Sequence, residues 1–261
     1  MSNQPLPERV DFHVVIPAFK ESDRLPPYLS DLAGCLAGKE YRTAILVVDD
    51  GSGPQEQGTL RDVIAAAQKT TDVILNPLLL QRNRGKGFAI RAGWRADPTA
   101  RWLAFADADG ATPAREVVRV FDSVYRTDDM QRCYFGARVR MLGRSVRRPW
   151  PRHVVSRVYG TLVGLLINEA VYDSQCGFKI VPGPAFATIG LLLQEDRFAF
   201  DSELIAALSE AGYSLEEIPV DWRDVPGSKI SFFRDSTRMV TSLFAIHKRQ
   251  KRGAYRPRAL P

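Results

Sequence analysis

The sequence predicts an α/β fold built on a doubly wound sheet, and three observations predict it. Short β-branched apolar runs alternate with segments of helical period. Polar and acidic clusters follow the runs where strands would end. The chain, with 261 residues and 45% hydrophobic content, is large enough to bury one sizeable core.

The elements follow in order. Residues 1–10 are a polar, proline-bearing lead. Residues 12–17 and 44–48 are continuous apolar runs that read as strands, and 26–36 between them has helical periodicity. A short third strand is expected at 72–75, a helix at 87–96, a strand at 102–106, a helix with proline in its first turn at 113–125 and a strand at 133–137. Beyond Arg138 the pattern is a long helix at 150–168, a strand at 176–181, a helix at 200–211, a strand at 215–222 and a last helix at 232–247. Phe232, Phe233, Met239, Val240, Leu243, Phe244 and Ile246 give that last helix an apolar face of period near 3.6. The expected organisation is a catalytic domain over 11–230, an amphipathic helix over 231–247 and a basic tail over 248–261, with no internal repeat.

Charge is unevenly placed. The net charge is +6, and the last fourteen residues hold six cations (Lys248, Arg249, Lys251, Arg252, Arg256, Arg258) and no acid. A second stretch, 130–168, has eight arginines and no carboxylate. Both point to a polyanionic partner: a phosphate-bearing substrate, an anionic bilayer or nucleic acid. No nucleic-acid recognition motif accompanies the charge, so no nucleic acid is expected. Three cysteines without a CxxC pair suggest neither a disulfide framework nor a zinc site, and a reducing compartment is expected. The first residues lack the order of a secretion signal, and the longest uncharged apolar stretch, 158–168, is well short of the roughly 20 residues that span a bilayer.

The chemistry-bearing segments sit at predicted strand ends, where an open parallel sheet binds its ligands. They are Pro17, Ala18 and Glu21 after the first strand, Asp50, Gly51 and Ser52 after the second, and Asp107-Ala-Asp109 after the fourth. Asp107 and Asp109, two residues apart, can share one hard divalent cation of the kind a nucleotide pyrophosphate needs to be held and to leave. Lys86, between Gly85 and Gly87 ahead of a helix, can face a phosphate. The dinucleotide fingerprint and the P-loop are both excluded, because GKGFAI lacks the third small residue and no GxxxxGK[ST] occurs.

The series VVIPAFKE, VVDDGS, NRGKGFAIRAG, FADADGATP, FGARV, DSQCGFKI, RFAFDSELI and EIPVDWRDVPGSKI resembles glycosyltransferase family 2, within it the polyprenyl-phosphate branch that includes dolichyl-phosphate β-glucosyltransferases. The resemblance spans roughly 11–232. It implies a GT-A fold, a mixed doubly wound sheet with flanking helices, and inverting transfer of a sugar, foremost glucose from UDP-glucose, to a lipid phosphate with Mg²⁺ or Mn²⁺. By the same resemblance, Pro17, Ala18, Glu21, Asp50, Gly51 and Ser52 border the nucleoside, and Lys86 lies near the diphosphate. Asp107 and Asp109 bind donor and metal, Gln175 and Asp201 line the sugar and acceptor side, and Arg138, Ser228 and Lys229 hold the acceptor phosphate. Asp109, Asp201 and Arg138 are the catalytic candidates. Two positions depart from the pattern: Lys20 stands where asparagine is common, and Ala111 replaces a polar residue frequent in mannosyl-transferring relatives.

The residues give an independent check. An alcohol acceptor requires a general base, whereas a phosphate monoester, with second pKa about 6, is already a dianion at cellular pH. The three histidines, His13, His153 and His247, all lie outside the motifs. Asp201 could serve as a base for an alcohol, or it could cap its helix or pair with Arg197. Two rivals therefore stay open, a soluble family 2 enzyme acting on a glycan or small alcohol and a non-catalytic basic module. The helices at 150–168 and 232–247 either pack on the core or lie in a headgroup layer. Their flanking cations favour the second, which places the chain peripherally on the cytoplasmic face of an anionic membrane.

Overall fold

The computed structural model describes residues 9–256 apart from 140, 142, 144, 148–149, 170 and 226–231. Its first half is the expected alternation: β1 (Phe12–Ala18), α1 (Leu25–Leu36), β2 (Thr43–Asp49), α2 (Pro54–Gln68), β3 (Leu78–Leu79), α3 (Lys86–Ala96), β4 (Trp102–Ala106) and α4 (Ala114–Thr127). The second half is β5 (Arg132–Ala137), β6 (Val146–Arg147), α5 (Trp150–Ile167), β7 (Phe178–Pro182), α6 (Gly183–Ile189), α7 (Phe200–Glu210), β8 (Ser214–Pro219), β9 (Trp222–Arg223) and α8 (Phe232–Lys251).

A seven-stranded sheet runs in the order β3-β2-β1-β4-β7-β5-β8, and β6 with β9 forms a separate ribbon. β1 pairs in parallel with β2 and β4, while β7 is antiparallel to both its neighbours, which makes the sheet mixed. Both faces are covered, and the period-two alternation of strand side chains assigns residues to each. Val15, Leu103, Phe105, Phe135 and Val181 pack with α3 and α5–α8. Phe12, Val14, Ile16, Trp102, Ala104, Tyr134 and Ile180 pack with α1, α2 and α4. On the second face Phe12 stacks on Phe121 with ring centroids 4.3 Å apart. On the first, the Trp94 indole N–H donates to the Ala104 carbonyl at 2.9 Å, fixing α3 against β4.

Three expectations are corrected, and one helix lies where the sequence showed no period. The third strand is not at 72–75: Ile74 makes a single bridge to Ile45, and the ladder forms at β3. α2 escaped notice because only Leu60 and Ile64 are buried along its length, too thin a stripe to give a period. The strand expected at 215–222 is two, since β8 ends at Pro219 and Trp222 turns away to pair with Val146. Finally, the segment from 248 is no loose tail as far as Arg256. α8 runs on to Lys251, Tyr255 is wholly buried, and Arg256 pairs with Glu210 at 3.3 Å.

Candidate active site

The loops that follow β1, β2, β3 and β4 meet at one edge of the sheet, and hydrogen bonds among them show how. Asp50 donates its backbone N–H to the Ala18 carbonyl at 2.8 Å, tying the end of β2 to the end of β1. Its carboxylate accepts from the Arg84 and Gly85 amides at 2.8 and 2.7 Å, so it organises the turn that carries Lys86. Burial pushes the Asp50 pKa up, and those two N–H donors oppose the rise. Ser52 accepts from the Lys20 amide at 2.8 Å, and Lys20 adopts φ 57, a left-handed conformation in which asparagine is at ease and lysine is not. Glu21 is held by the Arg24 Nε at 2.7 Å.

Asp107 ends β4. One of its oxygens takes the Lys86 ammonium at 2.7 Å. Burial lowers the affinity of Lys86 for its proton, yet the charges of Asp107 and then Asp201 raise it beyond its ordinary value. Asp109 accepts from the Ala111 amide at 3.0 Å, and its pKa is pushed up to about 6, first by burial and then by the charge of Asp107. Two crowded carboxylates of this kind are relieved by a cation between them. Their oxygen-only donor set suits Mg²⁺ or Mn²⁺, which hold few protein ligands and complete their shell with phosphate and water. Among the described residues no group of three or more metal-ligating side chains gathers.

Gly177 is what lets Asp107 sit in place. Its carbonyl accepts the Asp107 amide at 3.0 Å, and a Cβ on it would fall 1.8 Å from Asp107 Oδ2. Gly177→Ala must therefore displace that carboxylate, and a displacement near 1 Å costs about 10²-fold in rate. Steady-state transfer assays on the variant, with circular dichroism to show an unchanged fold, check this expectation.

On the other flank Arg138 follows β5. Its guanidinium is bidentate on Asp173, with Nε to Oδ2 and Nη2 to Oδ1 both at 2.6 Å, and it lies 5.4 Å from the Trp222 ring. Both side chains are buried. The expected phosphate-holding Arg138 is thus a fixed cation already matched to a carboxylate. Asp201 is buried at the start of α7 and accepts from the Lys179 ammonium at 2.6 Å; its partner is Lys179, not Arg197. Gln175 is 3.5 Å from Ser202 Oγ, which in turn bonds Tyr159 at 3.0 Å. Ser228 and Lys229 lie outside the described residues.

Asp173 and Lys179, both within DSQCGFK, carry the charges that hold Arg138 and Asp201. A lysine within the apolar run FKIVP was the available signal, since charge at an inward strand position requires a buried partner. His13 is a buried strand residue bonded to the Gly93 carbonyl at 3.0 Å, and His247 bonds the Leu166 carbonyl, so neither stands at this edge. Beside the rim a cleft of about 460 Å³ opens between the loop before α7 and α8, lined by Arg84, Asp196, Arg197, Phe198, Arg238 and Met239.

Known proteins share this fold. In solved structures the fold recurs in glucosyl-3-phosphoglycerate synthase from Mycobacterium tuberculosis in complex with UDP, with TM-score 0.68 and 14% identity over 92% of this chain and 80% of that one. It recurs too in mannosyl-3-phosphoglycerate synthase from Rubrobacter xylanophilus, with TM-score 0.66 and 17% identity over 96% and 77%. The fold is accordingly GT-A. In sequence, the chain is 28% identical to the dolichyl-phosphate beta-glucosyltransferase of Saccharomyces cerevisiae over 95% of its own length and 78% of the relative's. It is 30% identical to that of Homo sapiens over 93% and 76%. The glycosyl transferase family 2 model matches residues 13–182, which takes in β1 through β7 and both aspartates of the DAD turn. This chain therefore belongs to glycosyltransferase family 2.

Proposed function

We propose that this enzyme moves glucose from UDP-glucose to the phosphate of a polyprenol such as dolichol, with inversion at the sugar. The observation that carries the acceptor class is the state of the carboxylates at the rim. Asp50 is held by two amides, Glu21 by Arg24, Asp173 by Arg138 and Asp201 by Lys179, and the metal pair is left for the donor. None of these is a free base, which is what an acceptor that arrives already ionised allows. The dolichyl-phosphate acceptor and the glucose named for the similar yeast and human proteins fit this reading, and Ala111 speaks against GDP-mannose as donor.

In the reaction an acceptor phosphate oxygen forms the bond to the anomeric carbon as the bond from that carbon to the UDP oxygen breaks, and no proton need leave the acceptor. Pro17, Ala18, Glu21, Asp50, Gly51 and Ser52 frame the nucleoside, and Lys86 offers its ammonium to the diphosphate. When bound at Asp107 and Asp109, Mg²⁺ or Mn²⁺ neutralises charge on the leaving diphosphate. Gln175 borders the sugar, and on the acceptor side Ser228 and Lys229 meet the phosphate beside Arg138, whose charge Asp173 balances and whose fork it holds in place. Incubation with radiolabelled UDP-glucose, GDP-mannose or UDP-N-acetylglucosamine, Mg²⁺ and a short polyprenyl phosphate tests this. An organic-phase product from UDP-glucose is expected; transfer to a soluble alcohol without lipid would replace the acceptor assignment.

The acceptor's phosphate lies at headgroup depth, so the enzyme must reach a membrane. Among the described residues no helix is long and apolar enough to cross one. Among the described residues, α5 and α8 pack inward through Tyr159, Val163, Ile167, Leu243 and Ile246. Outward among the described residues of these helices are Val158 (58% exposed), Leu165 (74%) and Phe244 (55%), with Lys248, Lys251 and Arg252 exposed towards the end of α8. This set supports peripheral attachment on the cytoplasmic face. Vesicle sedimentation should show binding that rises with anionic lipid and weakens in salt, at about 1 kcal/mol per basic residue. Joint substitution of Leu165 and Phe244 by glutamate should weaken it at least about tenfold, given about 1.5–3 kcal/mol per buried apolar side chain. Equal recovery with neutral and anionic vesicles at low salt would oppose attachment.

A further inference from the structure

We infer that Lys179 is a positioning residue for donor binding: by holding Asp201 it keeps the Lys86 ammonium on Asp107 and free for the donor diphosphate. This rests on the assignment of Lys86 to the diphosphate above. Lys179 projects from β7, wholly buried, and donates to the Asp201 carboxylate at 2.6 Å and the Cys176 carbonyl at 2.7 Å. Its register neighbours are Phe105 and Phe135, and its ammonium lies 5.4 and 5.2 Å from their rings. The Lys86 ammonium lies 5.0 Å from the same Phe105 ring and is within electrostatic reach of Asp201. Two ammonium groups thus share one aromatic side chain, each with its own carboxylate.

The consequence follows from burial. Asp201 is only 2% exposed, and an ionised carboxylate so enclosed requires a matched charge. If Lys179 loses its charge, Lys86 is a cation within electrostatic reach of Asp201, and its four-carbon stem lets its ammonium swing. Lys86 would then turn to Asp201 and leave Asp107, and the donor would lose a charged hydrogen bond. Lys179 itself need touch neither donor nor acceptor for this to hold.

UDP binding measured by titration calorimetry in the presence of Mn²⁺ tests the inference without any acceptor. Lys179→Met should weaken UDP binding by about tenfold or more, the worth of one hydrogen bond to a charged group. Adding Asp201→Asn to Lys179→Met removes the competing carboxylate, so UDP affinity should return to within about threefold of wild type. Lys179→Gln, which can still donate to the Cys176 carbonyl, carries the same expectation if the methionine variant does not fold. A merely structural ion pair would lower the melting temperature and leave the affinity of the folded protein unchanged. Wild-type UDP affinity in folded Lys179→Met or Lys179→Gln, or a double variant as weak as the single one, overturns the inference alone. If the wild-type protein itself does not bind UDP, the donor assignment fails and this inference fails with it.

Discussion

Replacing Asp107 or Asp109 by alanine is expected to lower the transfer rate by about 10³-fold or more, equivalent to about 4 kcal/mol of lost transition-state stabilisation. The fold should survive both changes. Asp107 is partly exposed and its cation partner Lys86 keeps a second carboxylate, Asp201, within electrostatic reach, while Asp109 gains little from its surroundings: burial and the charge of Asp107 hold its pKa up at about 6. Removing a carboxylate that is disfavoured in its ionised form relieves repulsion, so Asp109→Asn should unfold at the same temperature as wild type or slightly above it. Loss of activity together with retained or raised stability is the signature of a functional residue held against its own preference. Steady-state rates across a Mg²⁺ series and thermal melts measure the two halves. Near-normal turnover by Asp109→Ala at low Mg²⁺ would contradict the metal assignment.

The second large effect is on stability. Arg138→Ala strands Asp173 in the interior with its charge unmatched, which should cost about 3–5 kcal/mol. The same pair sets an acid limit. Burial alone would raise the Asp173 pKa, but the guanidinium of Arg138 outweighs it and brings the value down to about 2, below the 3.8 of a free aspartate. Above about pH 5 the carboxylate is ionised in both states and the full contribution is present. As pH falls from there towards 2 the unfolded chain takes up the proton first, and about 2 kcal/mol of stability is lost. Urea denaturation at pH 7, 4 and 3 should show this fall in the wild type and its absence in Asp173→Asn. A pH dependence that survives that substitution would mean that other carboxylates set the acid limit. Arg138→Lys, which keeps the charge and loses the fork, should lie between wild type and alanine in stability.

A third consequence concerns the C-terminal segment. Glu203 accepts from the Gln194 and Glu195 amides at 2.8 and 2.6 Å and from Tyr255 at 2.8 Å, and it pairs with Arg249 at 3.0 Å. Truncation at 248 therefore removes two partners of a buried carboxylate as well as six cations. Charge substitutions at exposed Lys248, Lys251 and Arg252 are the cleaner probe of lipid attraction.

What the sequence by itself determined is local in origin. The apolar runs of β1, β2, β4 and β5 and the periods of α1, α3, α4 and α7 depend on residues within one element. The DDGS and DAD turns announce themselves by chemistry at a strand end. Where the local signal was thin, as in α2 with its two buried residues, or where pairing replaced it, as at β3 and β9, the sequence was silent or misleading. Only the tertiary structure decided which charges meet. Lys179 finds Asp201 across 22 residues, Arg138 finds Asp173 across 35, and Arg249 finds Glu203 across 46 (249 less 203). Each carboxylate could have paired with a nearer cation, as Asp201 with Arg197 four residues before it. Burial settles the choice, because a charge enclosed by the sheet and its helices must take the partner that the folded backbone delivers, whatever stands beside it in the chain.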